Sequence, residues 1–255
     1  MRRLPAVSYL TTIYLFFYIP IIVLIVYSFN KAQYSLVWHG FSMRWYQELF
    51  SDMDLWVAVG HSFVLGIFAA TIAMCIGGLA AVCLYRYSFF GQKVLYGLVF
   101  ILILSPDIVM GISLLILFSL LKISLGFWSL LLAHITFCIP FVVVTVYSRI
   151  VSFDQYIFEA AKDLGAKDTV IFTRIILPLL WPALLAGWLL SFTLSLDDVI
   201  ISYFVAGPDF EILPLKIYSM VRLGVKPEIN ALCSITFLLT LVVIVLSQLI
   251  GRKKP

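Results

Sequence analysis

The amino-acid sequence predicts an all-α integral membrane protein, and composition is the first observation that supports this class. Of the 255 residues, 63% are hydrophobic and only 12% are charged, and the mean hydropathy is +1.11. A soluble domain is nearer to half apolar and about a quarter charged. The second observation is the length of the apolar stretches, several of which reach the ~20 residues that a spanning helix needs.

Six apolar stretches are predicted to cross the membrane within one domain over residues 1–255. Pro106 is expected to interrupt the third stretch and Pro140 to kink the fourth. If the N-terminus is cytoplasmic, eleven of the 17 Lys and Arg residues lie inside, so both termini are expected in the cytoplasm. The six stretches cover about 8–29, 57–84, 94–121, 126–148, 179–206 and 229–250.

The sequence contains no pattern that predicts catalysis or a resident metal. There is no G-x-x-x-x-G-K-[ST] phosphate loop, no H-E-x-x-H and no paired C-x-x-C. The net charge of +4 comes from basic residues in the loops, so no nucleic-acid partner is expected. We therefore expect no catalytic residue, no metal site and no cofactor in this chain. Buried free thiols are expected at Cys75, Cys83, Cys138 and Cys233.

Carboxylates inside the apolar stretches are the candidate functional residues. Asp107 follows Pro106, and the pair Asp197 and Asp198 follows Ser195. A charge at bilayer depth costs roughly 2.5–3.5 kcal/mol, so it usually faces a wet cavity. Counting about 1.5 Å per helical residue puts Asp107 and Asp197 at similar depth in the outer half of the membrane. Such acids on a water-filled path would attract cations.

An alternative is that these acids are satisfied by neighbouring polar groups. Adjacent residues point about 100° apart on a helix, so at most one of Asp197 and Asp198 would face a narrow pore squarely. The other would cap a helix, pair with a neighbour or face a partner. His134, a lone histidine in the fourth stretch, is predicted to be hydrogen-bonded structure rather than a proton relay. Polar groups near the acids include Ser105, Ser191, Thr193 and Ser195.

The loop between the first two stretches predicts a short helix at the membrane surface. Trp45, Tyr46, Leu49 and Phe50 are spaced to share one face of that helix. Its aromatic rings either anchor the loop at the interface or attract a cation, in which case Trp45 would guide entry by cation–π contact.

A polar segment over 152–178 predicts two short helices joined by a turn. Ser152 with Gln155 has the form of a capping box, which starts the first helix near residue 153. Gly165 is placed to end that helix in a left-handed cap. Asp168 is expected to cap the second helix, which Pro178 would stop. The small residues leave a shallow surface where another backbone can approach, so the hairpin is predicted to dock a partner.

Several motifs resemble one known family. Glu159-Ala160-Ala161 followed by Gly165, and then Ile175-Ile176-Leu177-Pro178, resembles the cytoplasmic signature of permease subunits of binding-protein-dependent ABC importers. Further stretches, LSPDIVM at 104–110, FTLSLDDV at 192–199 and ILPLKIYS at 212–219, resemble the membrane subunits of bacterial spermidine/putrescine importers. The resemblance runs over essentially the whole chain.

The resemblance implies a type I ABC importer fold in the bacterial inner membrane, with a second, homologous permease completing the path. It implies two copies of a cytoplasmic ATPase, which would hold the ATP and magnesium, and a periplasmic polyamine-binding protein. The passenger would be spermidine and/or putrescine. Candidate pathway residues are Asp107, Asp197, Asp198, Ser195 and Trp45. Candidate ATPase-coupling residues are Glu159, Ala160, Ala161, Gly165, Ala166 and Asp168.

Other functions stay open on the sequence alone. The chain would serve equally as a permease for another small cationic solute. A proton-coupled secondary transporter would use its own acids and work without an ATPase. A scaffold would anchor a cytoplasmic enzyme through the hairpin and transport nothing.

Overall fold

The computed structural model describes residues 3–32, 37–154, 156–222 and 227–251. The regular secondary structure of these ranges is helical, with short turns and loops between the helices and an isolated bridge between Asn30 and Phe41. The all-α prediction is therefore confirmed. In chain order the helices are α1 (Arg3–Tyr27), α2 (Arg44–Ser51), α3 (Met53–Arg86), α4 (Gln92–Leu104), α5 (Asp107–Leu120), α6 (Phe127–Val151), α7 (Tyr156–Asp163), α8 (Asp168–Ile171), α9 (Leu177–Asp197), α10 (Ile200–Val205), α11 (Leu213–Arg222) and α12 (Pro227–Gly251).

Four helical segments of the described chain are long and apolar enough to cross a membrane. They are Val7–Tyr27 within α1, α3, α6 and the segment Asp168–Asp197. If the bent pair of α4 and α5 is counted as one span, the number of such segments becomes five. The sixth predicted stretch falls within α12, and the count of six spans stays a prediction, as do the cytoplasmic termini and the single domain.

The third predicted span is broken at Pro106. The axes of α4 and α5 differ in direction by 113°. Ser105 and Pro106 both have extended backbone, with ψ of 132° and 133°. Proline lacks an N–H group and pushes the residue before it out of the helical region. The predicted interruption is confirmed. The depth assigned to Asp107 stays a prediction, since α4 is continuous from Gln92 to Leu104 and the chain turns only at the two residues before Asp107.

The predicted stop at Pro178 is wrong. The helix that begins at Asp168 continues to Asp197, and residues Phe172–Ile176 form a π-turn directly before Leu177 and Pro178. In this wider turn the Leu177 N–H bonds to the Phe172 carbonyl, five residues back. Pro178 lies just after the π-turn, inside this continuous helix.

Contacts group the chain into two compact units, and the first comprises Met1–Val57 with Lys216–Pro255. In this unit α12 packs against both α1 and α2. The apolar window of α1 has no buried residue, so lipid or another chain must cover this helix in the membrane.

The second unit, Ala58–Leu215, has a core of small side chains that let helices approach closely. Ala69, Ala70 and Ala73 of α3 are fully buried. A Cβ on Gly77 would lie 2.8 Å from the Cβ of Val142 in α6. Small residues of α3 therefore allow close packing against α6.

The cysteines are free, as predicted, but they are not uniformly buried. Cys138 is buried and Cys233 is intermediate. The expectation that all four are buried is wrong for Cys75 and Cys83, which are exposed on α3. The position of a residue in an apolar stretch does not predict whether its side chain is buried within the protein.

Candidate functional site

Two of the three candidate acids are exposed on the surface of the second unit. Asp107 is the first residue of α5, directly after the 113° bend. Asp197 is the last residue of α9. Both side chains are exposed, and among the residues that the structure describes neither carboxylate has a hydrogen-bond or ion-pair partner. These two acids are therefore available to a ligand.

Asp198, by contrast, is buried and satisfied within the chain. Its backbone is extended, with φ −70° and ψ 120°, and this conformation ends α9. Its Oδ1 accepts a hydrogen bond from the Ile201 N–H at 3.2 Å. Its Oδ2 accepts from the N–H and the O–H of Ser202, at 2.8 and 2.7 Å. Asp198 thus caps the first turn of α10, whose N–H groups have no partner within the helix.

His134 connects this capped turn to α6. The imidazole is fully buried. Its Nε2 lies 2.9 Å from Ser202 Oγ and 3.6 Å from Asp198 Oδ2. Its Nδ1 lies 2.7 Å from Ser195 Oγ. The prediction that His134 is hydrogen-bonded structure is confirmed, and Ser195, a candidate pathway residue, is only 3% exposed.

The first turns of α5 carry Asp107 and pack against α10. Gly111 makes this contact possible, because a Cβ there would lie 2.7 Å from Phe204 Cδ2 and 3.3 Å from Ile201 Cα. Asp107 precedes Gly111 by four residues, about one helical turn. Asp197 lies three residues before the start of α10. In the chain, α10 therefore follows Asp197, one of the two exposed acids. It also packs against α5, the helix that carries the other exposed acid, Asp107.

Trp45 lies in α2, so the predicted short helix is confirmed, but its aromatic face is divided. Trp45 is only 2% exposed and donates its indole N–H to the Asn30 carbonyl at 2.6 Å, whereas Phe50 is 60% exposed. The Arg44 guanidinium lies 5.3 Å from the centre of the indole ring. A cation would reach Trp45 only after this packing opens.

The predicted hairpin forms at the other end of the second unit. Gly165 has a φ of +78°, the Gly165 N–H bonds to the Lys162 carbonyl at 2.8 Å, and the Ala166 N–H bonds to the Ala161 carbonyl at 3.0 Å. These two bonds form a Schellman cap, so the predicted left-handed end of the helix is confirmed. The predicted start near residue 153 is wrong for this helix, which begins at Tyr156; Gln155 lies outside the described residues.

The hairpin presents small and apolar groups outward. Ala160 and Gly165 are exposed, and Leu164 between them is 88% exposed. Ala161 is 8% exposed and packs into the core cluster of the unit, and Ala166 lies against the same cluster. Glu159 is exposed and lines a cavity of about 380 Å³ with Lys162.

Asp168 does not cap α8, so that prediction is wrong. It is the first helical residue, after Lys167, and its side chain forms an ion pair with Arg86 at the end of α3. Arg86, which binds Asp168 instead, is 82 residues away in the sequence. A local sequence pattern therefore could not predict this ion pair.

Sequence reasoning missed the residues that hold α10 and α8 in place. Ser202 and Arg86 each bond to a candidate site residue. Ser129 donates from α6 to the Val205 carbonyl at 2.8 Å. The spacing of Asp198 and Ser202 could have predicted the cap of α10, because an acid before a short apolar segment is typical of a helix N-cap.

Comparison with known proteins places this fold and these motifs in context. Residues 73–253 match the family model described as "Binding-protein-dependent transport system inner membrane component". The chain is 57% identical over 252 residues to the spermidine/putrescine transport system permease protein PotC of Escherichia coli (strain K12), covering 99% of this chain and 96% of that protein. It is 43% identical over 228 residues to the putrescine transport system permease protein PotI of the same organism, covering 86% and 81%.

Solved structures show the same fold at low sequence identity. A subunit of a bacterial ABC transporter involved in alginate import matches with a TM-score of 0.75 at 17% identity, covering 98% of this chain and 96% of that one. A chain of the MetNI methionine ABC transporter matches with a TM-score of 0.59 at 18% identity, covering 83% and 96%. The fold is therefore that of ABC importer permeases.

Proposed function

Because this chain belongs to the family of binding-protein-dependent transport system inner membrane components, we propose that it is the permease subunit of an ABC importer that moves spermidine and/or putrescine across the bacterial inner membrane. The observation that carries the proposal within the chain is the pair of exposed acids, Asp107 and Asp197, without a partner among the described residues. A passing polyamine carries the ammonium groups that such acids attract.

The two carboxylates act as a transient replacement for water around the ammonium groups. Charge-assisted hydrogen bonds contribute about 1.5–3 kcal/mol each, enough to draw a cation from water without trapping it. Asp198 does not serve this role, because its oxygens are occupied by Ile201 and Ser202. Of the adjacent acids, Asp197 is therefore the one assigned to the path.

The energy for transport comes from outside this chain in the proposed assembly. Two copies of a cytoplasmic ATPase bind ATP and magnesium, and the surface of Ala160, Leu164 and Gly165 docks against them. A second, homologous permease forms the other half of the path, and a periplasmic binding protein delivers the polyamine. The π-turn and α9 join the hairpin directly to Asp197, so movement of the hairpin is transmitted along one helix.

We also propose six spans with both termini in the cytoplasm. This topology puts the hairpin on the ATPase side and follows the excess of Lys and Arg in the loops assigned to the inside. Single cysteines introduced at Leu164 and at Asp209, in a background without the native cysteines, test the orientation. A membrane-impermeant thiol reagent applied to intact cells should label position 209 and not position 164.

The decisive experiment is uptake of labelled spermidine and putrescine by the complex reconstituted in vesicles with its partner permease, ATPase and binding protein. We expect ATP-dependent uptake that falls about tenfold in each of Asp107→Asn and Asp197→Asn, the loss of one charge-assisted hydrogen bond. The matched control is Asp54→Asn, an exposed acid in the first turn of α3. Uptake by this chain alone under a proton gradient would replace the proposal with a secondary transporter.

A further inference from the structure

The six-residue helix α10 is held to α6 at both of its ends. At its C-terminal end Ser129 donates a hydrogen bond to the Val205 carbonyl at 2.8 Å. At its N-terminal end His134 reaches Ser202 at 2.9 Å and lies 3.6 Å from Asp198. A helix of six residues is unstable alone, because nucleating the first turn is unfavourable. Its position is therefore set by these external bonds and by packing.

Donor and acceptor counting fixes the direction of the hydrogen-bond chain. Ser202 has one hydroxyl proton and donates it to Asp198 Oδ2, so its oxygen accepts from the N–H at His134 Nε2. In a neutral imidazole the other nitrogen is then an acceptor, and Ser195 donates its hydroxyl proton to Nδ1. Every polar atom of the imidazole is satisfied by a neutral ring protonated on Nε2.

The state of Asp198 follows from the same count. Its carboxylate accepts three hydrogen bonds, from the Ile201 N–H and from the N–H and O–H of Ser202. A proton on Oδ2 would compete with both donors from Ser202. Both oxygens of Asp198 therefore act as acceptors at the start of α10.

We propose that His134 is a positioning residue for transport: through Ser202 and Asp198 it holds the break between α9 and α10, and that break fixes where Asp197 stands at the surface. The inference rests on the proposed function, because it assigns Asp197 to the passenger. Asp198 then acts from inside the protein and does not touch the polyamine.

The geometry also links this chain of bonds to the other acid. Ile201 and Phe204 of α10 lie against Gly111 of α5, and Asp107 is one turn before Gly111. A displacement of α10 therefore moves the start of α5 as well as the end of α9. One buried histidine would position both exposed carboxylates.

The first test is spectroscopic and uses the assembled complex with nitrogen-15 histidine in this chain alone. His39→Gln and His61→Gln remove the other two histidines of the chain, so the remaining signal reports the tautomer of His134. We expect a neutral ring with the proton on Nε2. A charged ring, or a neutral ring protonated on Nδ1, would overturn the proposed chain of hydrogen bonds. This test does not depend on which solute the complex carries.

The second test is kinetic and separates positioning from folding. His134→Leu and the milder Ser202→Ala should each raise the KM for labelled spermidine about tenfold, the loss expected from one hydrogen bond. Thr136→Val is the matched control, since Thr136 lies two residues along α6 and bonds only to the Leu132 carbonyl of its own helix. Its KM should equal that of the unmodified complex.

A double variant distinguishes a positioning role of His134 from a purely structural role. If His134 acts through Asp197, Ser202→Ala should add less than twofold to the KM of Asp197→Asn, because coupled residues are not additive. Fully multiplicative effects, or an unchanged KM with a lower complex yield, would make the role merely structural. Failure of the unmodified complex to take up polyamines would instead reject the proposed function, and the tautomer result would stand.

Discussion

The guanidinium of Arg86, in the last turn of α3, donates a hydrogen bond to the carboxylate of Asp168, in the first turn of α8. Each charge lies at the helix end whose dipole favours it, the cation at the C-terminus and the anion at the N-terminus. The side chain of Arg86 is 17% exposed and that of Asp168 is 65% exposed. The pair ties the hairpin to a second spanning helix in addition to α9.

A charge reversal tests whether this pair transmits movement. Ion pairs that reach solvent contribute about 0.2–1 kcal/mol, and the Asp168 side of this pair is 65% exposed, so Asp168→Arg should leave the amount of assembled complex nearly unchanged. Arg86→Asp changes a side chain that is only 17% exposed, so its yield is measured alongside. We expect each single variant to lower the rate of uptake severalfold per ATP hydrolysed. The double reversal restores the pair and should recover most of the coupling. Equal coupling in the singles and the double would mean that the pair transmits nothing.

Gly165 should be required at the hairpin for its backbone conformation. Gly165→Ala places a Cβ at a φ of +78°, which costs roughly 1–2 kcal/mol, although nothing lies within 4 Å of that Cβ. We expect weaker retention of the ATPase during purification. Gly91→Ala is the control, because Gly91 has a φ of +89° and equally open surroundings outside the hairpin. It should show the same local strain and normal ATPase retention.

Gly111 should be required for the contact between α5 and α10. Gly111→Val meets Phe204 Cδ2 and the backbone of Ile201, so the two helices must separate. We expect uptake to fall at least tenfold while the complex still assembles. Gly97→Val serves as the comparison, since Gly97 lies in α4 with nothing within 4 Å of its Cβ. Similar losses in both variants would point to general instability.

Trp45 tests the difference between a packing role and a cation contact. Trp45→Phe keeps an aromatic ring and loses the N–H that bonds to the Asn30 carbonyl. The buried carbonyl loses its donor, so the complex should be destabilised by about 1–3 kcal/mol in thermal unfolding. The KM for spermidine should change by less than twofold. A raised KM at unchanged stability would assign the ring to the cation instead.

Local patterns predicted the features that depend on neighbours in sequence. The break at Pro106 and the left-handed cap at Gly165 follow from the local covalent chemistry of proline and glycine. Pro178 shows that a proline does not end every helix in which it occurs. Apolar runs identified the long helices, because in lipid the backbone must satisfy its own hydrogen bonds.

The features that were missed depend on distant partners or on the direction of the chain. Asp168 was expected to cap α8, and Arg86, 82 residues away, binds it instead. Asp198 has the same side chain as its neighbour Asp197. It is nevertheless buried, because it bonds to Ser202 and lies beside His134. The bend of 113° before Asp107 was predicted only as an interruption, because a proline does not specify the new direction of the chain. All three acids lie in apolar stretches of the sequence. Asp107 and Asp197 are exposed, whereas Asp198 is buried.

The π-turn at Phe172–Ile176 has a consequence for how the hairpin and α9 face one another. A π-turn accommodates one residue more than an α-turn, and one residue corresponds to about 100° of rotation around the axis. Conversion to an ordinary α-turn would swing the hairpin about the axis of α9 while the helix stayed unbroken. The junction would therefore convert a displacement of the hairpin into a rotation of the helix that ends at Asp197.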